Sequence, residues 1–170
     1  MGSAMSLYDV HQISLNNLKR QSQLTRKYEL PLIIVKTNIS NELNENEQAR
    51  LVYKLALEEV NKKLTLLNAM VLEHEDATNR SNLESVFVVR GVTTSNLKRA
   101  MVKIENSHPL GSLINIDIID PQGYAVSRRG SQMEPRRCIL CQYPASYCSM
   151  NHRHSVEEIK HKIKSIIAQY

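Results

Sequence analysis

Tryptophan is absent from this 170-residue chain and phenylalanine occurs once, so the aromatic content is only 5% and rests almost wholly on seven tyrosines. That scarcity argues against a base-stacking platform of the kind single-stranded nucleic-acid binders use. No apolar run approaches the ~20 residues that span a bilayer, and nothing resembles a signal peptide, so a cytoplasmic protein without a membrane partner is expected. Cysteine is limited to three residues, an odd number, all between Cys138 and Cys148, and a disulfide framework is set aside. Glycine and proline number five each, and no repeat or low-complexity segment appears. What is present is ordinary: 42% hydrophobic and 23% charged residues make one globular domain with an aliphatic core. A chain of this length buries roughly 70% of its unfolded surface, enough to fold without metal or disulfides.

The charge balance is 22 basic against 17 acidic residues, a net +5. Such a balance fits a polyanionic partner without choosing among nucleic acid, nucleotide and acidic protein. The opening Met1-Gly2-Ser3-Ala4-Met5 reads as an expression scar before the natural start, which leaves residues 6–170 as the domain.

Periodicity then sets out the elements. A helix is expected over Ser14–Tyr28, on the domain surface because its apolar stripe (Leu15, Leu18, Leu24) is loose. Pro31–Val35 reads as a strand. Asn44–Leu64 reads as a helix with Leu51, Val52, Leu55, Ala56, Val60 and Leu64 on one face and Glu45 and Glu47 at its N-terminus, where the helix dipole favours acids. Ala69–Glu73 and Ser85–Arg90 are strands joined by a polar loop, His74–Asn82. Thr94 or Ser95 caps a helix carrying Leu97, Ala100, Met101 and Ile104 at i, i+3, i+4, i+7. The strand Gly111–Ile119 turns Ile114, Ile116 and Ile118 to one face and Leu113, Asn115 and Asp117 to the other. Asp120-Pro121-Gln122-Gly123 has type I turn chemistry, with Tyr124–Arg129 as the returning hairpin strand. Arg136–His154 is a Cys- and Arg-rich loop, and Ser155-Val156-Glu157-Glu158 is a capping box opening a C-terminal helix with Val156, Ile159, Ile163 and Ile166 inward. The fold class is therefore α+β, a split βαβ mixed sheet with helices on one face.

Three groups of residues could carry chemistry. Cys138-x2-Cys141-x6-Cys148-x5-His154 fits tetrahedral zinc, with His152 as a competing fourth ligand. A redox role for the CxxC is disfavoured because no strand-to-helix setting surrounds it. Arg128, Arg129, Arg136 and Arg137 bracket a short loop and can fork onto phosphate oxygens; on a strand, Arg128 and Arg129 would point to opposite faces. Ser107-His108-Pro109-Leu110-Gly111-Ser112 leads into the strand bearing Asn115 and Asp117. A Gly-Ser turn before same-face acids is a layout that holds Mg2+ and phosphates, although here one acid is an asparagine. His108 is a candidate general base.

Ser107-His108-Pro109-Leu110-Gly111, Ile116-Asp117, the Pro-x-Gly turn, Ser127-Arg128-Arg129 and Pro135-Arg136-Arg137-Cys138-Ile139-Leu140-Cys141, with Cys148 and His154, resemble the apo-citrate lyase phosphoribosyl-dephospho-CoA transferase family. The match is dense over residues 106–161 and looser upstream. The resemblance implies transfer of a triphosphoribosyl-dephospho-CoA precursor onto a serine of the acyl-carrier subunit of citrate lyase, with pyrophosphate leaving. On that reading Asp117, beside Asn115, would take Mg2+; Gly111, Ser112 and the four arginines would bind the triphosphate; and His108 would activate the acceptor serine. The partners would be the carrier and the precursor, not nucleic acid, and a related carrier such as that of a malonate decarboxylase is a variant of the same reading.

The chain departs from the family pattern in three places. Asn115 stands where Asp-Ile-Asp has its first acid, Ser112 and Met150 stand where arginine is usual, and Leu18-Lys19-Arg20-Gln21 replaces an arginine-rich stretch. Asn115 keeps a second reading open, a weak or inactive homologue that binds carrier or precursor as an assembly factor. A third, a zinc-stapled nucleic-acid binder, rests on charge and cysteines alone and lacks a recognisable binding motif.

Overall fold

The computed structural model describes residues 7–39, 46–76 and 83–170. Helix α1 (Leu7–Tyr28) leads into strand β1 (Leu32–Thr37), followed by α2 (Asn46–Leu66), β2 (Met70–Asp76), β3 (Glu84–Arg90), α3 (Thr94–Ser107), β4 (Ile114–Ile119), α4 (Ala145–Met150) and α5 (Val156–Ala168). The strands lie in the order β2-β3-β1-β4. This is the split βαβ arrangement, and the α+β expectation holds. The sheet is antiparallel rather than mixed, since each neighbouring pair runs antiparallel: β3 inserts between β1 and β2, and β1 between β3 and β4.

Both sheet faces are covered, which corrects the expectation of helices on one face only. On one face Ile33, Val35, Phe87, Val89, Ile114, Ile116 and Ile118 pack against α2 (Val52, Ala56, Val60, Leu64), α3 (Leu97, Met101, Ile104) and Ile163 of α5. On the other, Leu24 and Tyr28 of α1 pack on Leu32, Ile34, Val86, Val88 and Ile119. Polar pairs join α1 to β2 as well: Lys27 pairs with Glu73 at 3.1 Å, and Arg20 pairs with Glu75. Leu15 and Leu18 stay exposed, as does Leu51 of α2.

Several boundaries shift for local reasons. Thr93, not Thr94 or Ser95, caps α3 by accepting from the Asn96 amide. Residues 111–113 form a 3-10 turn rather than strand, and Leu113 joins the core. No strand forms over 124–129. A single bridge, Ile119 with Ala125, follows the Asp120 turn, after which Arg128 is helical (φ −60°, ψ −42°) and Arg129–Ser131 closes a second 3-10 turn. The Ser127 hydroxyl accepts from the Gly130 amide, which favours the turn over the strand. The Cys-rich segment contains a short helix, α4. The Ser155 capping box forms as expected, but Val156 at N1 is half exposed while Ile163 is buried. The His74–Asn82 connection begins later than expected, since β2 runs to Asp76; its residues 77–82, like Glu45, lie outside the described residues.

A candidate phosphate and metal site at the edge of the sheet

Among the described residues strand β4 pairs only with β1, so its outer edge presents backbone groups that need partners. Side chains supply them. The Ile116 amide donates to Glu105 Oε1 at 2.7 Å, the Ile114 carbonyl accepts from Arg136 Nη2 at 3.0 Å, and the Ile118 carbonyl accepts from the Val126 amide at 2.8 Å. Glu105, on α3, is buried and also accepts from Arg136 Nη2 at 2.6 Å and from Arg128 Nη2. Arg128 reaches Asn106 Oδ1 as well. Burial pulls the Arg136 guanidinium below its ordinary value and the Glu105 carboxylate opposes that; it stays charged.

The turn before β4 is held as tightly. His108, extended because a proline follows, ends α3. A Cβ on Gly111 would lie 2.2 Å from the Glu105 carbonyl oxygen, so only glycine lets the 3-10 turn sit against the end of α3. Gly111 is thus explained by backbone packing, and Ser112 offers its carbonyl to Asn38 Nδ2 at 3.3 Å. His108 Nδ1 accepts from the Leu110 amide at 3.1 Å. In the neutral imidazole that bond puts the proton on Nε2.

Asn115 and Asp117 share the face that α1 packs on, as their alternation with the buried isoleucines requires. Asn115 bridges two charged neighbours: its Nδ2 donates to Asp117 Oδ2 at 2.9 Å and its Oδ1 lies 3.4 Å from Arg136 Nη2. Across the sheet Asn115 lies opposite Lys36, which pairs with the buried Glu84 at 3.0 Å.

The arginines do not act as one cluster. Arg128, Arg129 and Arg136 line a groove of about 620 Å3 together with Ser146. Arg137 lines a second recess of about 610 Å3 with Arg136, Ser112 and His154. The expectation that Arg128 and Arg129 face opposite ways along a strand gives way to a turn in which Arg128 is tied to Glu105 and Arg129 is exposed.

Cys138, Cys141, Cys148 and His154 come together with their ligand atoms within 4.8 Å of one another, a set that could hold a metal ion such as zinc. Zn–S bonds of about 2.3 Å imply tetrahedral sulfur separations of about 3.8 Å, and Cys141 Sγ lies 3.4 Å from Cys148 Sγ. His154 Nε2 is buried with no hydrogen-bond partner, as expected of an atom waiting for a metal. His152 is exposed, with φ +46°, and stays outside the group. Burial pushes the Cys148 thiol up to about 12, with Cys141 and Cys138 adding to it. Burial also raises the Cys138 thiol, but backbone amides of Leu140 and Cys141 and the neighbouring thiols outweigh it and lower the value.

Two site residues escaped sequence reasoning. Glu105 and Lys98 are seven apart, hence on one side of α3, a charged pair running beside the buried Met101 and Val102. Both are buried, Lys98 at 5% exposure. The spacing was the available signal, but two charges at that interval ordinarily mark a solvated face.

An α+β domain with a charge-capped sheet edge, an arginine groove and a Cys3His knuckle defines the class. The family model for apo-citrate lyase phosphoribosyl-dephospho-CoA transferase matches residues 16–170. The chain belongs to that family, one of transferases. It is 29% identical over 153 residues to a probable apo-citrate lyase phosphoribosyl-dephospho-CoA transferase of Vibrio cholerae serotype O1 (strain M66-2), covering 90% of this chain and 86% of that one. It is 24% identical over 148 residues to the enzymes of that name from Escherichia coli O1:K1 and Shigella flexneri serotype 5b, covering 87% of this chain and 80% of each. No described helix is long and apolar enough to cross a membrane.

Proposed function

We propose that this protein transfers the phosphoribosyl-dephospho-CoA moiety of a triphosphate precursor to a serine of the citrate lyase acyl-carrier subunit. The serine oxygen bonds to the α-phosphorus, the α–β bridging bond breaks, pyrophosphate leaves, and the hydroxyl proton passes to solvent. The observation that carries the reading is the groove lined by Arg128, Arg129 and Arg136, where guanidiniums can neutralise a polyphosphate; Asn115 links Arg136 to Asp117. Arg137 and Ser112 would extend the same surface through the neighbouring recess. His108 would donate from Nε2 to a phosphate oxygen.

Asp117 has one oxygen engaged by Asn115, and among the described residues no hydrogen bond or ion pair holds the other. One carboxylate suffices for a Mg2+ that arrives on phosphates, so the donor set fits, with Asp117 as its protein ligand. The ion would supply further charge neutralisation at the phosphate oxygens. Zinc at the Cys3His group would staple the segment that carries Arg136 and Arg137.

Asn115 favours a second reading, a binding homologue with little turnover, since the amide replaces a negative charge beside Asp117. Intact-mass spectrometry of apo carrier incubated with protein, precursor and Mg2+ separates the two. A mass gain of precursor minus pyrophosphate, lost in Asp117→Ala, supports transfer. A gain seen only in Asn115→Asp supports the homologue, and no gain from either overturns both catalytic assignments.

A further inference from the structure

The knuckle segment carries a second group of side chains that the proposed chemistry does not use. The rings of Tyr143 and Tyr147 stack with centroids 5.4 Å apart, and the Arg153 guanidinium lies over both, 4.4 Å from the Tyr143 centroid and 5.6 Å from that of Tyr147. Both rings are exposed, at 51% and 46%, and so is Arg153. Met150, three positions beyond Tyr147 on α4 and so beside it on the helix surface, is 79% exposed. The platform is fixed through its backbone: the Tyr143 carbonyl accepts from the Cys138 amide at 2.9 Å, and the Arg153 amide donates to the Cys148 carbonyl at 3.1 Å. Preorganised aromatic and arginine side chains serve protein interfaces as anchors, because little entropy is lost in fixing them.

Charge and position say what covers it. Residues 135–156 contain Arg136, Arg137 and Arg153 and no acidic residue, in a chain that has 17 acids. Among the described residues Arg153 makes no ion pair with a carboxylate. An acidic surface is its complement. Ser146, next to Tyr147 in α4, lines both the groove and the recess, whereas neither tyrosine lines either. The helix thus turns one side to the groove and another to solvent, and a molecule seated on the platform stands about a helix width, 10–12 Å, from the arginines' groove. Concave sites suit small ligands; an open platform beside one suits a macromolecule that presents a group to it. We propose that Tyr143, Tyr147, Met150 and Arg153 form the docking surface for the protein that brings the acceptor hydroxyl to the groove, and that this partner meets it with carboxylates around an apolar contact. The proposal rests on the functional reading above, in which that protein is the acyl-carrier subunit of citrate lyase.

The test is biolayer interferometry of the full chain on immobilised apo acyl-carrier subunit, wild type against Tyr147→Ala and Arg153→Glu. Arg26→Ala, on α1 across the sheet, is the control for charge alone. Expected is a loss of at least about tenfold in carrier affinity for Tyr147→Ala and Arg153→Glu, with Arg26→Ala within about twofold of wild type. All melting temperatures should stay within about 2 °C of wild type, because the substituted side chains are exposed. Rising salt should weaken wild-type binding more than it weakens Arg153→Glu. In the carrier assay the two variants should raise KM for the carrier and leave kcat and KM for the precursor in place. A carrier that binds the variants as it binds wild type overturns the surface. So does a rise in KM for the precursor with KM for the carrier unchanged, which assigns the tyrosines to the nucleotide. The transfer reading is judged apart: carrier binding that depends on Arg153 without any transfer upholds the surface and overturns the transferase, and transfer with carrier KM unchanged in both variants does the reverse. A wild type that neither binds the carrier nor modifies it overturns both.

Discussion

Glu105 and Arg136 together do for strand β4 what a fifth strand would do. Glu105 takes the amide of Ile116, Arg136 takes the carbonyl of Ile114, and the two are joined at 2.6 Å. The last strand of the sheet is therefore closed by an ion pair whose arginine also lines the candidate substrate groove. Stability and the proposed site share the same atoms.

Breaking that pair from the acid side should be expensive. Glu105→Ala leaves Arg136, Arg128 and the Ile116 amide without their shared partner, and removing one member of a buried pair costs about 3–5 kcal/mol. Urea unfolding is expected to show that loss, with Glu105→Gln intermediate because it still offers an acceptor to Ile116.

Gly111→Ala is a steric test of the same corner. Its Cβ would meet backbone at 2.2 Å, not a side chain that could swing away. The expected cost is about 3 kcal/mol, read as a lower urea midpoint, with β4 amides losing hydrogen-exchange protection first. An unchanged midpoint would contradict the packing described here.

Zinc content should be near-stoichiometric in protein purified without added metal. Cys148→Ser and Cys138→Ser should lose it, His154→Ala should bind more weakly, and His152→Ala should be unaffected, since His152 stands outside the ligand group. Elemental analysis checks all four. A chelator should expose residues 138–154 to protease before the sheet opens.

Asn115→Asp places a carboxylate where an amide now bridges Asp117 and Arg136. Two acids at this separation repel, so the metal-free variant should melt below wild type, and Mg2+ should stabilise it more than it stabilises wild type. Melting curves against Mg2+ concentration decide this. Equal Mg2+ responses would remove Asp117 as a cation ligand.

The lowered proton affinity of Lys98 gives stability a pH dependence of definite sign. With the folded value below the ordinary 10.5, the unfolded chain binds more protons in that interval, so stability rises as pH climbs toward 10.5. Urea unfolding across alkaline pH should show wild type gaining on Lys98→Met. A constant difference between the two would mean that Lys98 titrates as an exposed lysine does.

The sequence was sufficient for whatever depends on neighbours along the chain. Periodicity located Val52, Ala56, Val60 and Leu64 on one helical face and Ile114, Ile116 and Ile118 on one strand face, because burial repeats with the geometry of the element. The capping box at Ser155 and the ligand spacing of the knuckle were legible for the same reason, since both are closed by residues a few positions apart. Tertiary structure decided the rest. It chose His154 over His152, put α1 on the second face of the sheet, and tied the turn that Ser127 favours at residues 127–131 to Glu105 through Arg128, 23 positions away. Glu105 is buried against the edge of β4, where it accepts from the Ile116 amide; only that long-range contact makes burial of the acid favourable, and no local pattern encodes it.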